Sequence, residues 1–435
     1  MKKNSKQQTQ QQQSKSQQSK QQPAASNQQP AASKQQANQQ PAASKQVAKT
    51  PAAGKPQTPF AQQLETERKQ MQESNVISGV AGVDIGDKRS YVRLVGLDGE
   101  LLEEVKVATN PAAIEKYFRS WPRLRVVLET GGQTNWIRRL IAGLGHEVFV
   151  ADARQLRLIS QSYAKNDRND AYWLAELGRT NTNLLAPVEP RGQQVEQHRS
   201  WLQGRETLVG ARTKLINSLR GIAKSHGIRF GPCGMTKWAA AVRQECPAVL
   251  QTILKPMARA IAALTREINE LDRRLDKLGK EQYRVTQLLQ TVDGVGPLTS
   301  LAYVLELNND VGRVKRSRQM GAVVGCRPKQ RDSGESSPEL GITKAGNPML
   351  RRLLVQCSQR ILGPFGVDSD LRRWGLSLAA RGKKRAKRRA VVAAARKLAV
   401  LLHAMWRKNE AWQPFPNGEP AAATAASAAS AAAAQ

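Results

Sequence analysis

The chain has 435 residues with 68 Lys+Arg against 35 Asp+Glu, a formal net charge of +33, so its expected partner is a polyanion, DNA or RNA. No apolar run reaches the roughly 18 residues that a membrane-spanning helix needs, and the amino terminus has no apolar secretory core, so a cytoplasmic, nucleoid-associated protein is expected. Cys233, Cys246, Cys326 and Cys357 form no CxxC pair, which argues against a structural zinc site or a disulfide framework and for reduced core thiols.

Residues 1–74 are built from Gln, Ser, Lys, Ala and Pro, with QQPAAS repeated from Gln21, Gln28 and Gln39. Such a segment buries too little apolar surface to offset chain entropy and is expected to be disordered. The first 70 residues carry 11 Lys+Arg and 2 Asp+Glu, which leaves +24 on the remainder; the folded part is therefore basic in its own right.

Residues 75–185 read as an α/β domain. Strands are predicted over 77–85, 90–97 and 101–107, the second turn carrying Asp98-Gly99, a hairpin signal. A helix over 111–120, a strand over 125–128 ending in Glu129, a helix over 134–144 and a strand over 146–150 follow, giving a βββαβαβα order and a mixed sheet with helices on its faces. Asp84 ends an apolar strand, Val80-Ala81-Gly82-Val83-Asp84, where an acid is a poor strand former and a bound cation is the usual reason for it. Glu129 ends its own strand before Thr130-Gly131-Gly132, at the sheet edge where open α/β folds bind ligands. Asp167 and Asp170 open a further helix and share a face by their spacing. Taken singly, Glu129 reads equally as an ordinary strand-end acid, Asp167 as an N-cap and Asp170 as a first-turn acid favoured by the helix dipole. Taken together, the four carboxylates can converge on one edge, and an all-oxygen donor set favours Mg²⁺ or Mn²⁺.

Residues 186–285 read as long helices. Ile261, Leu264, Ile268, Leu271, Leu275 and Leu278 make a narrow stripe of the coiled-coil kind, expected to hold a homodimer or homotetramer together, with packing inside one chain as the alternative. Residues 286–415 read as a mainly α-helical domain. In it Gly294-Val295-Gly296 lies between two helical patterns, a helix-hairpin-helix-like element whose glycines allow backbone N–H groups to approach a phosphate; a tight interhelical turn is the plain alternative. Ser333 lies in a polar turn among Arg327, Lys329, Arg331 and Lys344, which would hold a phosphate and activate a hydroxyl, although Ser and Gly are also ordinary turn formers. Arg381, Lys383, Lys384, Arg385, Lys387, Arg388 and Arg389 place seven cations within nine residues, a density that favours phosphate contact. Trp406 and Trp412 read as core packing or base stacking, and residues 416–435, rich in Ala, Ser and Thr, as a disordered tail.

The motifs VDIGDKRS, VVLETGG and KNDRNDA resemble those of the DEDD transposases of bacterial insertion sequences, whose N-terminal domain is RuvC-like on the ribonuclease H fold. Asn166 departs from the pattern, which has a small hydroxyl residue there. The resemblance implies a DNA transposase or recombinase in which Asp84, Glu129, Asp167 and Asp170 bind Mg²⁺. It further implies that Ser333 attacks DNA to form a phosphoserine link, that the two centres come from different protomers, and that a structured non-coding guide RNA from the element is a partner. Ser336 and Ser337 compete with Ser333 for the nucleophile's role. Two rivals remain open at this point: a metal-dependent, Holliday-junction-type nuclease that needs no serine, and a non-catalytic nucleic-acid-binding protein.

Overall fold

A computed structural model describes residues 76–152, 166–334, 336, 338, 340–382 and 384–416. The expected N-terminal disorder, most of the C-terminal tail, Lys165, Ser337 and Lys383 lie outside the described residues.

The N-terminal domain is a five-stranded sheet in the order β3-β2-β1-β4-β5. Its strands are β1 (Val80–Asp84), β2 (Arg89–Val95), β3 (Leu101–Ala108), β4 (Arg125–Glu129) and β5 (Glu147–Ala151). β1 pairs antiparallel with β2 and parallel with β4, so the mixed sheet expected from the element order is present and fits a ribonuclease H-like domain. Helices α1 (Pro111–Arg119) and α2 (Thr134–Gly143) are amphipathic and cover one face. Ala81, Val83, Val126 and Leu128 point into that layer with Ile114, Phe118, Ile137 and Ile141. The alternate residues Val80 and Val127 face the other way, against Leu174 and Ala175 of α3 (Asp167–Thr180). Successive strand side chains point to opposite faces, so Asp84, in step with Val80, and Glu129, in step with Val127, both belong to the α3 face.

Two long helices follow, α4 (Gln193–Ser225) and α6 (Ala248–Gln282), with the short α5 (Trp238–Glu245) between them. They run antiparallel: the imidazole of His198 meets the Tyr283 hydroxyl at 2.7 Å, Arg205 donates to Asp272 at 2.7 and 3.2 Å, and Arg212 reaches Thr265 at 3.4 Å. The tip is closed by Trp238 packed among Ile216, Leu219, Leu254 and Ala258. The apolar stripe expected to join separate chains is therefore largely occupied by this chain itself. Ile261, Ile268, Leu275 and Leu278 are buried, Leu264 and Leu271 are half-buried, and the seam faces α4. Packing inside one chain, the alternative, thus accounts for the buried part of the stripe.

The C-terminal part is helical, as expected: α7 (Val285–Leu289), α8 (Pro297–Glu306), α9 (Met320–Val323), α10 (Pro348–Ile361), α11 (Asp370–Ala380) and α12 (Lys384–Lys408). One core spans it, with Tyr303 donating to the Ala399 carbonyl at 2.6 Å. Trp406 and Trp412 are half-buried and pack on this core, which settles them as packing residues. Cys246, Cys326 and Cys357 are buried free thiols, whereas Cys233 is only half-buried. No helix among the described residues is long and apolar enough to cross a membrane.

Candidate active site

The carboxylate edge is built by the way α3 lies on β1. Gly82 has no room for a side chain: a Cβ there would run into the Ala171 carbonyl oxygen and stand 3.1 Å from Ala175 Cα. One turn and a half further on, a Cβ on Gly178 would meet Val127 Cγ2 at 2.5 Å and Val80 Cγ1 at 3.0 Å. The late part of α3 thus sits over the start of β1, and its middle over Gly82. By continuation, its first turn sits at the carboxyl end of β1. Asp167 and Asp170 open α3 where Asp84 ends β1, and the pairing of Val83 with Leu128 sets Glu129 beside Asp84. All four predicted acids reach one end of one face.

Asp170 is buried at 6% exposure, Asp84 and Glu129 are half-buried, and Asp167 is exposed. Asn166, rather than Asp167, caps the helix: it accepts the Asn169 N–H at 2.8 Å through its side chain. The departure at Asn166 thus keeps the capping chemistry that a small hydroxyl residue supplies, and Asp167 is released from that duty.

Supporting residues that the sequence did not flag surround these acids. Thr134 donates to the Glu129 carbonyl at 2.7 Å and accepts from Gly131 N–H at 2.8 Å, which fixes the strand end. Gln133 donates to the Asp87 carbonyl at 3.2 Å and joins the loops after β1 and β4. Glu104 on β3 holds Arg168, at 2.9 Å, together with Arg93 and, at 3.2 Å, Tyr91. Burial pushes the Glu104 carboxyl up, but its bonds to Arg168 and Tyr91 and the charge of Arg93 outweigh this and hold it below the usual carboxylate range. Arg168 lies between the two helix acids in sequence, so this pair steadies the first turn of α3. None of these side chains carries a spacing signal; only the fold shows what they touch.

The donor set is all oxygen and suits a hard divalent cation. Among the described residues, no three His, Cys, Asp or Glu side chains already stand as a cage for an ion. The backbone brings the acids to one place.

Ser333 sits elsewhere, at the end of a two-stranded arm in the C-terminal part. Pro328 pairs with Ile342, Lys329 N–H donates to the Gly341 carbonyl at 2.9 Å and Thr343 N–H to the Arg327 carbonyl at 2.8 Å. Ser333 and Ser336 exchange backbone bonds of 3.1 and 3.0 Å around Gly334, whose φ is +52°. Arg327, Lys329, Arg331 and Lys344 are exposed on the arm and at its base. The base is pinned by Arg351, which donates to the Val324 and Lys344 carbonyls at 3.1 and 3.2 Å. Asn347, just beyond, caps α10 and donates to Glu306 at 2.7 Å. Glu306 also holds Arg191 and Arg199, ahead of and within α4.

Of the remaining predicted contacts, Gly294 has φ +87°, and a side chain there would stand 3.1 Å from Ile361 Cγ1. Its positive φ and its packing on α10 fit a tight interhelical turn, the plain alternative. Gly296 has open space around it and begins α8 as its N-cap. Arg381, Arg385, Lys387, Arg388 and Arg389 are exposed around the start of α12, which Lys384 begins.

The sequence matches known proteins along this layout. A DEDD transposase family of the IS110 type matches residues 81–227, past the expected domain boundary at 185 to the end of α4, and the "Transposase IS116/IS110/IS902 family" matches residues 286–365. The transposase for insertion sequence element IS1111A of Coxiella burnetii is 30% identical over 351 residues, covering 77% of this chain and 91% of that protein. The chain belongs to the IS110 family of DEDD transposases. Other relatives of this IS110-family chain include a probable family 20 transposase of Pseudomonas aeruginosa, 28% identical over 70% of this chain and 90% of its own length. The transposase for element IS1328 of Yersinia enterocolitica is 27% identical over 64% and 82%.

Proposed function

We propose that this IS110-family protein cuts and exchanges DNA strands through two centres, the carboxylate edge of Asp84, Glu129, Asp167 and Asp170, and the Ser333 arm. The observation that carries the proposal is the side-chain-free contact of Gly82 with α3, which brings acids from β1, β4 and α3 to one place on one face. The four acids would hold Mg²⁺ or Mn²⁺, and a bound divalent cation supplies charge stabilisation at the phosphate undergoing transfer.

Ser333 Oγ attacks phosphorus: an Oγ–P bond forms, one P–O bond to deoxyribose breaks, and the departing oxygen takes up a proton. The reverse attack by a different deoxyribose hydroxyl joins strands and frees the serine. The carboxylate edge, of this protomer or a second one, would accept the serine's proton. The basic arm residues hold the phosphate, and the start of α12 adds sequence-independent affinity. A structured guide RNA and a dimer or tetramer complete the proposal, with the chain working at the nucleoid.

The test is a denaturing gel of protein co-expressed with the element's RNA, given Mg²⁺ and labelled DNA. The proposal expects a protein–DNA adduct in the wild type, lost in Ser333→Ala and in Asp84→Ala. Cleavage without adduct that survives Ser333→Ala but not Asp84→Ala would leave a metal-dependent nuclease and remove the serine step. Ser336→Ala serves as the positional control.

A further inference from the structure

Phe365 is 82% exposed, yet the segment that carries it is tightly held. Gly363, Pro364, Phe365 and Gly366 form a β-turn closed by the Gly366 N–H on the Gly363 carbonyl at 3.3 Å. Proline at the second position presets the turn, and Phe365 occupies its apex. Arg372 donates to the Gly363 carbonyl at 2.6 Å and also to that of Ile361. A side chain on Gly366 would stand 2.8 Å from the Ile361 carbonyl carbon, so the turn is pressed onto the end of α10. Val367 N–H donates to Asp293 at 3.3 Å and ties the turn to the Gly294–Gly296 segment. A loose loop would lay the ring on the nearby apolar core; this one holds it in solvent.

Cationic charge lies on the last turn of α10, just before this turn. Arg360 is exposed, its Cγ lies 3.7 Å from where a Gly294 side chain would begin, and among the described residues it makes no ion pair. The nearby acids are engaged, Asp368 with Arg373 at 3.0 Å and Asp293 with the Val367 amide. A rigid, exposed ring five residues after an exposed arginine that makes no ion pair among the described residues, on a chain of net charge +33, matches base stacking plus phosphate contact.

We propose that Phe365 is a DNA wedge: its ring unstacks a base step of bound DNA while Arg360 holds the flanking phosphate. This rests on the chain acting on DNA, but not on the carboxylate edge or on Ser333. Unstacking at a step beside the cut site makes the local backbone easier to deform, which suits a reaction that exchanges strands.

The experiment uses the full-length protein and a mixed-sequence duplex and four-way junction carrying 2-aminopurine, whose fluorescence rises when its base is unstacked. Wild type at saturation raises the signal. Phe365→Ala is expected to abolish the rise and weaken binding about tenfold, with an unchanged melting temperature because the ring is exposed. Phe365→Trp restores both. Arg360→Gln keeps the rise at saturation and lowers the log–log salt slope of binding by about one unit. Asp84→Asn, run alongside, keeps the rise even when cleavage is abolished, which separates this inference from the fate of the metal site. An identical rise and affinity in Phe365→Ala overturns the wedge.

Discussion

Gly82 of β1 and Ala171 of α3 leave no space for a single methyl group between them. This contact places the first turn of α3, and with it Asp167 and Asp170, at the end of β1 where Asp84 stands. Gly82→Val therefore has to push the helix off the sheet. The cost of overpacking is about 1–3 kcal/mol, and a shifted α3 also separates the acids. Thermal unfolding should show a loss of stability of that order, with cleavage falling much further than DNA binding. A variant with normal cleavage would mean that the acids do not depend on this contact.

Asp170 is the most buried of the four acids, and burying a charge among like charges is tolerable only with compensation. If a cation shares the load, Mn²⁺ should raise the melting temperature of the wild type in a concentration-dependent way. Asp170→Asn and Asp84→Asn should abolish that rise and the cleavage activity while leaving the fold intact by circular dichroism. EDTA should return the wild type to its metal-free melting temperature. An equal Mn²⁺ response in wild type and variants would place the cation elsewhere.

The sheet was legible because alternation and turn residues mark it: Asp98-Gly99 predicted the hairpin between β2 and β3, and the apolar runs ending in Asp84 and Glu129 predicted two adjacent strand ends. The positions of the four acids in the fold were legible for the same reason, since strand ends and a helix start have sequence signatures. What supports them was not. Thr134, Gln133 and Glu104 act through contacts between segments 5 to 64 residues apart, and no local pattern encodes such pairings. The stripe from Ile261 to Leu278 was ambiguous for a related physical reason. A narrow apolar seam shows that a helix needs a partner, but periodicity says nothing about whether that partner is another chain or α4 of the same one.

Glu306 gathers Arg191, Arg199 and Asn347 at 11% side-chain exposure. Through them it joins the start of the long helical arm to the residue that caps α10 just after the Ser333 arm. Glu306→Ala leaves two guanidinium groups without their carboxylate. Because those groups are 28% and 27% exposed, water offsets part of the loss, and about 2 kcal/mol is expected. Hydrogen exchange should rise in the segment from Cys326 to Asn347 more than in the N-terminal sheet. Uniform exchange across the chain would show that Glu306 does not brace the arm.

The start of α12 is electrostatically uncomfortable without a partner. Its first turn holds no acid, and Arg385, Lys387 and Arg388 are exposed there, at the helix end where the backbone dipole favours anions. Phosphates relieve both the mutual repulsion and the dipole. Replacing Lys387 and Arg388 by Gln should weaken binding to DNA of any sequence and lower the salt slope by about two units, one for each phosphate no longer neutralised. The same pair of changes should leave stability equal or slightly raised, because repulsion in the unbound helix is reduced. Binding that keeps the wild-type salt slope would show that this end of α12 faces away from nucleic acid.

Acid should destabilise the fold through its buried histidines. His146 accepts the Leu124 N–H at 3.1 Å through Nδ1 and, as the neutral ring, donates to the Phe118 carbonyl at 3.1 Å through Nε2. Burial lowers its pKa, the bond to the Phe118 carbonyl works in the opposite direction, and Arg123 lowers it further, with a net downward shift. His198 and His403 are lowered too, in each case first by burial. Unfolded histidine titrates near 6.5. Above that pH both states are neutral and the contribution is fully present. As pH falls below it and through the lower folded value, the unfolded chain takes up protons first and stability is lost. Urea midpoints should therefore hold steady from about pH 8 to 7 and decline between about pH 6.5 and 5. Glu104, held low by Arg168, Arg93 and Tyr91, adds its own loss only at more acid pH. His146→Gln should lower the midpoint at neutral pH and flatten part of the decline; a decline as steep as wild type would show that this ring is not the proton acceptor responsible.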